Sequence, residues 1–253
     1  MADRVAVYFG TRNVYGMMVP AAKSLLAHTL VDRIYFMIED KTFPDQIHLP
    51  NIIRVRNVSD QTYFPDTGPN YHTQYSWMCL MRAALPLLLP DEHVILSIDN
   101  DTLVRRDIGF LFDTDISDHY FAAVPERYSI HRKLYYNIGV ALMNLDKLRN
   151  DGATQVLINN LNQYKYKWPE QDAFNDICRG HILTIPPQYN CAPAIIEGSD
   201  ISTCSVRHYA GIPEKDTFRK DAYIYDMMSW KEVFRRQEVY AIECTRVDFP
   251  DPV

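Results

Sequence analysis

The chain has 253 residues and a mass of 29.5 kDa, which suits one large α/β domain with a sizeable core. With 47% hydrophobic and 23% charged residues it has the composition of an ordinary globular protein, and no apolar run reaches the roughly 18 residues that a membrane span needs. A net charge of −6 without a long basic run argues against a nucleic-acid surface and leaves any anionic ligand to local groups.

The first ten residues, MADRVAVYFG, pass from charged residues straight into a strand-like run, without the basic start, apolar stretch and small-residue cleavage site of a secretory leader. Export is therefore not expected, and a cytoplasmic location is. VAVYF (5–9) predicts the first strand, MMVPAAKSLLAH (17–28) the helix after it, RIYFMI (33–38) a second strand and NIIRVR (51–56) a third. YSWMCLMRAALPLLL (75–89) has apolar residues at helical spacing until Pro90 and Asp91 stop it, and HVILSI (93–98) follows as a buried strand ending at Asp99. Further strands are predicted at HYFAAV (119–124), NIGVALMNL (137–145) and ILTI (182–185), with a helix at PEQDAFNDIC (169–178) that carries Pro169 in its first turn. Alternating strands and helices predict an α/β fold on a mainly parallel sheet, and the absence of repeats or a Gly/Ser linker predicts a single domain. The five cysteines, Cys79, Cys178, Cys191, Cys204 and Cys244, are odd in number and form no C-x-x-C pair. Reduced thiols in a reducing compartment are expected, rather than a disulfide framework or a zinc knot.

The stretch ILSIDNDTLVRRD (95–107) sets Asp99 and Asp101 where the apolar run stops. A turn in which both accept backbone N–H groups is one reading. The other is a cation site: residues two apart on an extended chain point the same way, and a strand end in an open α/β sheet opens on the ligand crevice. Two carboxylates there are hard ligands for Mg²⁺ or Mn²⁺, and the partner to look for is a phosphorylated ligand.

Five ordered blocks then resemble a known family: TRNVYGMMVPAAKSLL, CLMRAALPLLLPDEHVILSIDNDTLV, YYNIGVALMNLDKLR, WPEQDAFN and RHYAGIPEK. The chain resembles the retaining glycosyltransferases of family 8, which include glycogenin and the bacterial lipopolysaccharide α-galactosyltransferases. The resemblance implies a GT-A fold over residues 1–253, with a nucleotide-binding half (1–110) and a donor-sugar and acceptor half (111–253). It implies transfer of a hexose from a UDP-sugar to an acceptor hydroxyl of a carbohydrate, glycolipid or protein, with retention at the anomeric carbon.

Residue by residue, the resemblance makes Asp99, Asp101 and His208 the metal ligands, and the imidazole among them favours Mn²⁺ over Mg²⁺. Gly211 and Lys215 fall on the loop that meets the diphosphate, with Lys215 as a point charge on the leaving group. Arg82, on an otherwise apolar helix, and Asn100, between the two aspartates, fall among the donor-binding positions. Tyr15 matches the aromatic residue that stacks on uracil; the family's preceding acid is missing, and Arg12 and Asn13 stand there, with Asn13 able to offer its amide to the uracil edge. Asn137, Glu170, Gln171 and Asp172 match positions lining the donor sugar and acceptor, where Glu170 is one methylene longer than the family's usual aspartate. Glu126 is placed on the acceptor side. Aromatic faces stack on carbohydrate, which makes Tyr63, Tyr71, Tyr75, Tyr128, Tyr135 and Tyr136 candidates for shaping the cleft.

Gln171 is an amide and a poor nucleophile, so front-face attack, with the leaving phosphate taking the acceptor proton, is favoured over a covalent intermediate. Three other functions stay open: a self-glycosylating primer like glycogenin, a non-catalytic UDP-sugar-binding protein, and a sugar nucleotidyltransferase. The last rests on Gly10-Thr11-Arg12 after a strand, but the extra glycines of that signature are replaced by Ala6, Val7, Tyr8 and Phe9.

Overall fold

The computed structural model describes residues 3–40, 49–127, 134–196, 201–211 and 214–246, with the backbone alone for 214, 215 and 239–246. Strand β1 (Val5–Thr11) leads through a 3₁₀ turn (Arg12–Val14) into helix α1 (Tyr15–His28), followed by β2 (Arg33–Glu39) and β3 (Ile53–Asn57). Helix α2 (Met81–Leu88) precedes β4 (Val94–Ile98), and then come β5 (Thr102–Val104), the short α3 (Gly109–Phe112), β6 (Phe121–Pro125) and β7 (Tyr136–Asn144). Helices α4 (Leu145–Asn150), α5 (Ala153–Gln163) and α6 (Pro169–Ile177) lead to β8 (Ile182–Thr184), β9 (Val206–His208), α7 (Glu214–Met227) and α8 (Trp230–Arg246).

Seven strands form one sheet in the order β3-β2-β1-β4-β7-β6-β8, and β7 alone runs against the rest. Strand β1 is buried along nearly its whole length, as a parallel strand covered on both faces must be, which is why it reads as an unbroken apolar run rather than an alternating one. Side chains on one face (Tyr8, Leu25, Phe36, Val140) pack with α1, α7 and α8; those on the other (Val7, Leu85, Phe121, Phe174) pack with α2, α5 and α6. The result is a helix–sheet–helix sandwich around two apolar layers.

Two local features bear on the site. The helix expected over 75–89 is divided into a 3₁₀ turn (Trp77–Leu80) and α2, because the Ser76 hydroxyl accepts the Met78 N–H at 3.2 Å and tightens the first turn. Strands β5 and β9 form a separate two-stranded ribbon in which Thr102 lies opposite His208, so the chain just after Asp101 is pinned to the strand that ends in the histidine.

The cysteine expectation is corrected. Cys191 and Cys204 form a disulfide with their Cα atoms 6.0 Å apart. They meet because Cys191 is bridged to Arg207 of β9 while Cys204 sits just ahead of the same strand, a closure that sequence spacing of 13 does not reveal. Cys79 and Cys178 are free thiols.

Candidate active site

The carboxyl ends of β1 and β4 open on a cleft of about 520 Å³, where the crevice of an open α/β sheet is expected. Asp99 stands at the end of β4, its N–H bonded to the Gly139 carbonyl of neighbouring β7 at 2.8 Å. Two residues on, Asp101 gives its carbonyl to the Tyr209 N–H at 2.8 Å, so both aspartates are tied by backbone to the strands beside them. His208, nearly fully buried at the end of β9, brings Nε2 to 3.3 Å from Asp101 Oδ1 and 3.6 Å from Asp99 Oδ2. Three potential ligand atoms therefore lie within 4.8 Å of one another, one from each residue.

Those residues fit a divalent cation. Two carboxylates and one imidazole are a sound donor set for a divalent metal ion, and their mutual electrostatics ask for positive charge. Burial alone lowers the His208 pKa, but the charge and hydrogen bond of Asp101, with the charge of Asp99, outweigh it and raise it. Gly139 keeps the space open: a Cβ on it would lie 2.8 Å from Asp99 Oδ2 and 2.9 Å from His208 Nδ1.

Arg82 braces the same corner from α2. Its buried guanidinium bonds Asp99 Oδ1, donates to Ser97 Oγ at 2.9 Å and to Glu170 Oε1 at 3.3 Å, and lies over the Phe9 ring at 5.8 Å. Burial pushes the Asp99 carboxyl up, yet Arg82 and His208 hold it below its usual range. For Glu170 burial wins over Arg82 and the carboxyl is raised. Cys79 lines the cleft beside Glu170, and burial pushes its thiol well up.

A second group of polar side chains runs behind His208. Its Nδ1 meets Asn190 Oδ1 at 2.8 Å; Asn190 Nδ2 donates to Asn137 Oδ1 at 2.9 Å; Asn137 Nδ2 donates to Glu126 Oε1 at 3.0 Å; and Gln171 Nε2 donates to the same oxygen at 3.1 Å. Gln171 Oε1 accepts the Ile138 N–H at 3.3 Å, which fixes the amide's orientation. Asn190 and Gly139 carry no sequence expectation: a lone asparagine in YNCAP and a glycine inside a strand have no pattern of their own.

Of the residues singled out from the sequence, Arg82, Asn100, Asn137, Glu170, Gln171, Gly211 and the three metal candidates all line the cleft, as does Glu126. Asn100 is anchored by donating to the Phe9 carbonyl at 2.7 Å. Gly211 has a φ of 105°, a left-handed conformation natural to glycine. Asp172 lies apart from the cleft lining: it accepts the Lys167 and Trp168 N–H groups at 3.0 and 2.9 Å and the Tyr135 hydroxyl at 2.6 Å, so from inside α6 it fastens the chain that leads into the helix. Asn13 is exposed in the 3₁₀ turn, and Tyr15 packs edge-on to Phe36 with ring centroids 6.4 Å apart; neither is among the lining residues. Tyr75 lines the cleft, Tyr71 stacks on Trp77 at 5.4 Å, Tyr136 is buried with its hydroxyl 2.9 Å from Thr184 Oγ1, and Tyr63 is half-buried over the α2 side. Lys215 begins α7 with its side chain outside the described residues, and Tyr128 lies wholly outside them. Among the described residues no helix is long and apolar enough to cross a membrane.

The glycosyl transferase family 8 model matches residues 41–215. Among curated relatives, a putative glycosyltransferase of Haemophilus influenzae is 28% identical over 148 residues, covering 50% of this chain and 44% of that one. Glycosyltransferase GlyB of Streptococcus pneumoniae is 22% identical over 226 residues, covering 81% and 54%. The chain thus spans about half the length of the curated relatives it matches. Among solved structures, the glycosyltransferase GlyE of Streptococcus pneumoniae superposes with a TM-score of 0.70 at 19% identity over 100% of this chain and 66% of that one. Galactosyltransferase LgtC, solved with donor and acceptor sugar analogues, gives 0.64 at 21% identity over 92% and 99%. At such identities the structural likeness is one of fold, and the fold is GT-A. The family match, over well more than half of the residues, supplies the rest: the chain belongs to glycosyl transferase family 8.

Proposed function

We propose that the chain moves a hexose from a UDP-sugar to an acceptor hydroxyl, with retention at the anomeric carbon, and that a divalent cation, Mn²⁺ before Mg²⁺, is held by Asp99, Asp101 and His208. The observation that carries this reading is the convergence of those three side chains on one point at the strand ends, inside the cleft that Gln171 and Glu170 also line. A bound divalent ion would supply charge compensation for the diphosphate and stabilise its departure.

The chain's own groups do the rest. Arg82 holds Asp99 and Glu170 in register from beneath, so the carboxylates are set before any ligand arrives. Asn137 and Gln171, which line the cleft where the donor sugar would sit, are held in place by Glu126, which accepts from both amides. An amide under the sugar is a weak nucleophile, which favours front-face attack over a glycosyl-enzyme; Gln171 then orients, and the acceptor proton leaves on the departing phosphate. Gly211 lets backbone approach the diphosphate and Lys215 adds a positive charge to it. On this reading residues 1–110 bind the nucleotide and 111–253 present the sugar and acceptor side, with Tyr15 and Asn13 meeting the uracil.

Calorimetry with UDP tests the proposal. UDP should bind with Mn²⁺ and much more weakly in EDTA, because without the cation its phosphates face two carboxylates; Asp101→Asn should abolish that difference. Equal binding in EDTA and in Mn²⁺ sinks the metal reading.

A further inference from the structure

Every donor and acceptor in the amide chain behind His208 follows from one backbone group. The Gly139 N–H can only donate, and it lies 3.1 Å from a terminal side-chain atom of Asn137, which is therefore the carbonyl oxygen Oδ1. That oxygen also faces Asn190 at 2.9 Å, so the Asn190 atom there has to be the NH₂ group. The other end of the Asn190 amide, Oδ1, then meets His208 Nδ1 at 2.8 Å, and because an amide oxygen only accepts, Nδ1 carries a proton. The far end of the chain agrees: Asn137 turns its own NH₂ to the Glu126 carboxylate, which accepts. The remaining ring nitrogen, His208 Nε2, faces Asp101 and Asp99.

We propose that Asn190 is a positioning residue of the metal site: supported by Asn137 and the Gly139 N–H, it holds His208 with the proton on Nδ1 and the Nε2 lone pair aimed at the cation between Asp99 and Asp101. This inference rests on the metal reading above and assigns a residue to which the sequence gives no role. Asn190 is fully buried and Asn137 is 8% exposed, so water does not readily replace a lost partner. A histidine ligand whose second nitrogen is held by an acceptor has its tautomer and its ring plane set in advance. Removal of such an outer partner costs about 10- to 100-fold in metal affinity.

The test titrates Mn²⁺ alone into the protein and reads free Mn²⁺ by its EPR signal. Asn190→Leu, which keeps the same heavy-atom branching but offers no acceptor, should weaken Mn²⁺ binding about 10- to 100-fold. In a His208→Ala background the same substitution should change the affinity by less than about twofold, because no ring is left for it to hold. Wild-type affinity in Asn190→Leu, or an equal loss in both backgrounds, overturns the proposal. Absence of Mn²⁺ binding by the wild type overturns the metal reading itself, before any variant is compared. Should Asn190→Leu fail to fold, the wild type loaded with Zn²⁺ decides the matter: long-range ¹H–¹⁵N spectra of the histidine rings, with the His208 peaks identified by their loss in His208→Ala, should show the proton on Nδ1. A proton on Nε2 overturns the proposal.

Discussion

On the β7 and β9 side of the cleft, Asn137, Asn190, His208, Glu126 and Gln171 hold one another through side-chain hydrogen bonds of 2.8 to 3.1 Å, and Arg82 locks Asp99 to Glu170 from below. On the β1 side, Asn13 stands exposed in a 3₁₀ turn and Tyr15 turns back onto Phe36, away from the lining. The first wall is preorganised: its central side chains, Asn137, Asn190, His208 and Arg82, are buried, so each must find partners inside the protein, and paired strands are a rigid way to supply them. On the second wall Asn13 meets solvent and escapes that obligation; the Tyr15 hydroxyl is buried, and burial raises its pKa. The family match follows the same division, since it covers 41–215 and leaves Asn13 and Tyr15 outside. If this contrast is sound, substitutions on the first wall should cost far more than those on the second.

The largest effect is expected at Arg82. Arg82→Met keeps the stem but leaves Asp99 and Glu170 without their shared cation; breaking a buried ion pair from one side costs about 3–5 kcal/mol, and the loss here falls at the lower end because the Asp99 side chain is 36% exposed. Denaturant unfolding in EDTA should show that loss, and Mn²⁺ should recover part of it, because the cation then neutralises carboxylates that Arg82 no longer serves. Unchanged stability in EDTA would mean that the corner is not held by charge. Next in size is the disulfide, which ties the Asn190–Cys191 segment to the chain entering β9. Cys191→Ser should lower stability by about 3 kcal/mol, the constraint expected for a closed loop of this length, and dithiothreitol should mimic the variant in the wild type. A wild type whose unfolding ignores dithiothreitol would show that the bridge contributes nothing.

Gly139 comes third. Gly139→Ala puts a methyl group into the gap between Asp99 and His208, where it overlaps His208 Cε1 and meets Asp99 Oδ2 and His208 Nδ1 at 2.8 and 2.9 Å. Overpacking of this kind costs about 1–3 kcal/mol, and here it falls on the metal-ligand spacing, so Mn²⁺ affinity in an EPR titration should drop more than thermal stability does. A loss of stability with full Mn²⁺ affinity would assign the glycine to packing alone.

What the sequence discloses and what it hides follows the same line. The sheet strands β1, β2, β4 and β7 are apolar runs and are readable as such, and the Asp99–Asp101 pair is readable because it ends one of them. His208 is reached only through family resemblance: β5 and β9 are three residues each, too short to carry any periodicity. After Asn144, α6 is legible from Pro169 onward, but α5, α7 and α8 escape for another reason: they have many polar residues and none of the strand–turn context that marks α1. Asn190 acts through atoms 53 residues away at Asn137 and 18 away at His208, and the Cys191–Cys204 pair closes only once β9 is in place. Such partnerships belong to the folded arrangement, and no local pattern announces them. Asp172 shows the opposite case: its position in the family block suggests the donor, and its geometry engages both oxygens with the N–H groups leading into α6 and with the Tyr135 hydroxyl.

The smallest effect is expected at Asn13, and it is the sharpest probe of the second wall. Asn13 is exposed and lies outside the cleft lining, so Asn13→Ala removes no buried partner and should leave folding stability within the roughly 0.5 kcal/mol typical of surface substitutions; a purely solvent-facing residue would likewise change UDP affinity by no more than about twofold. A net hydrogen bond to uracil is worth about 1 kcal/mol, or about fivefold, so the two outcomes are separable by calorimetry. The comparison that matters is UDP against another nucleoside diphosphate, such as CDP, in the same variant. If Asn13→Ala weakens UDP and CDP alike by twofold or less, the base is recognised elsewhere and Asn13 is a solvent-facing turn residue. If it weakens UDP about fivefold and leaves CDP alone, the 3₁₀ turn swings its amide onto the uracil edge when the nucleotide binds. The contrast between the walls would then be one of timing: the metal wall is built before the ligand arrives, and the base wall is completed by it.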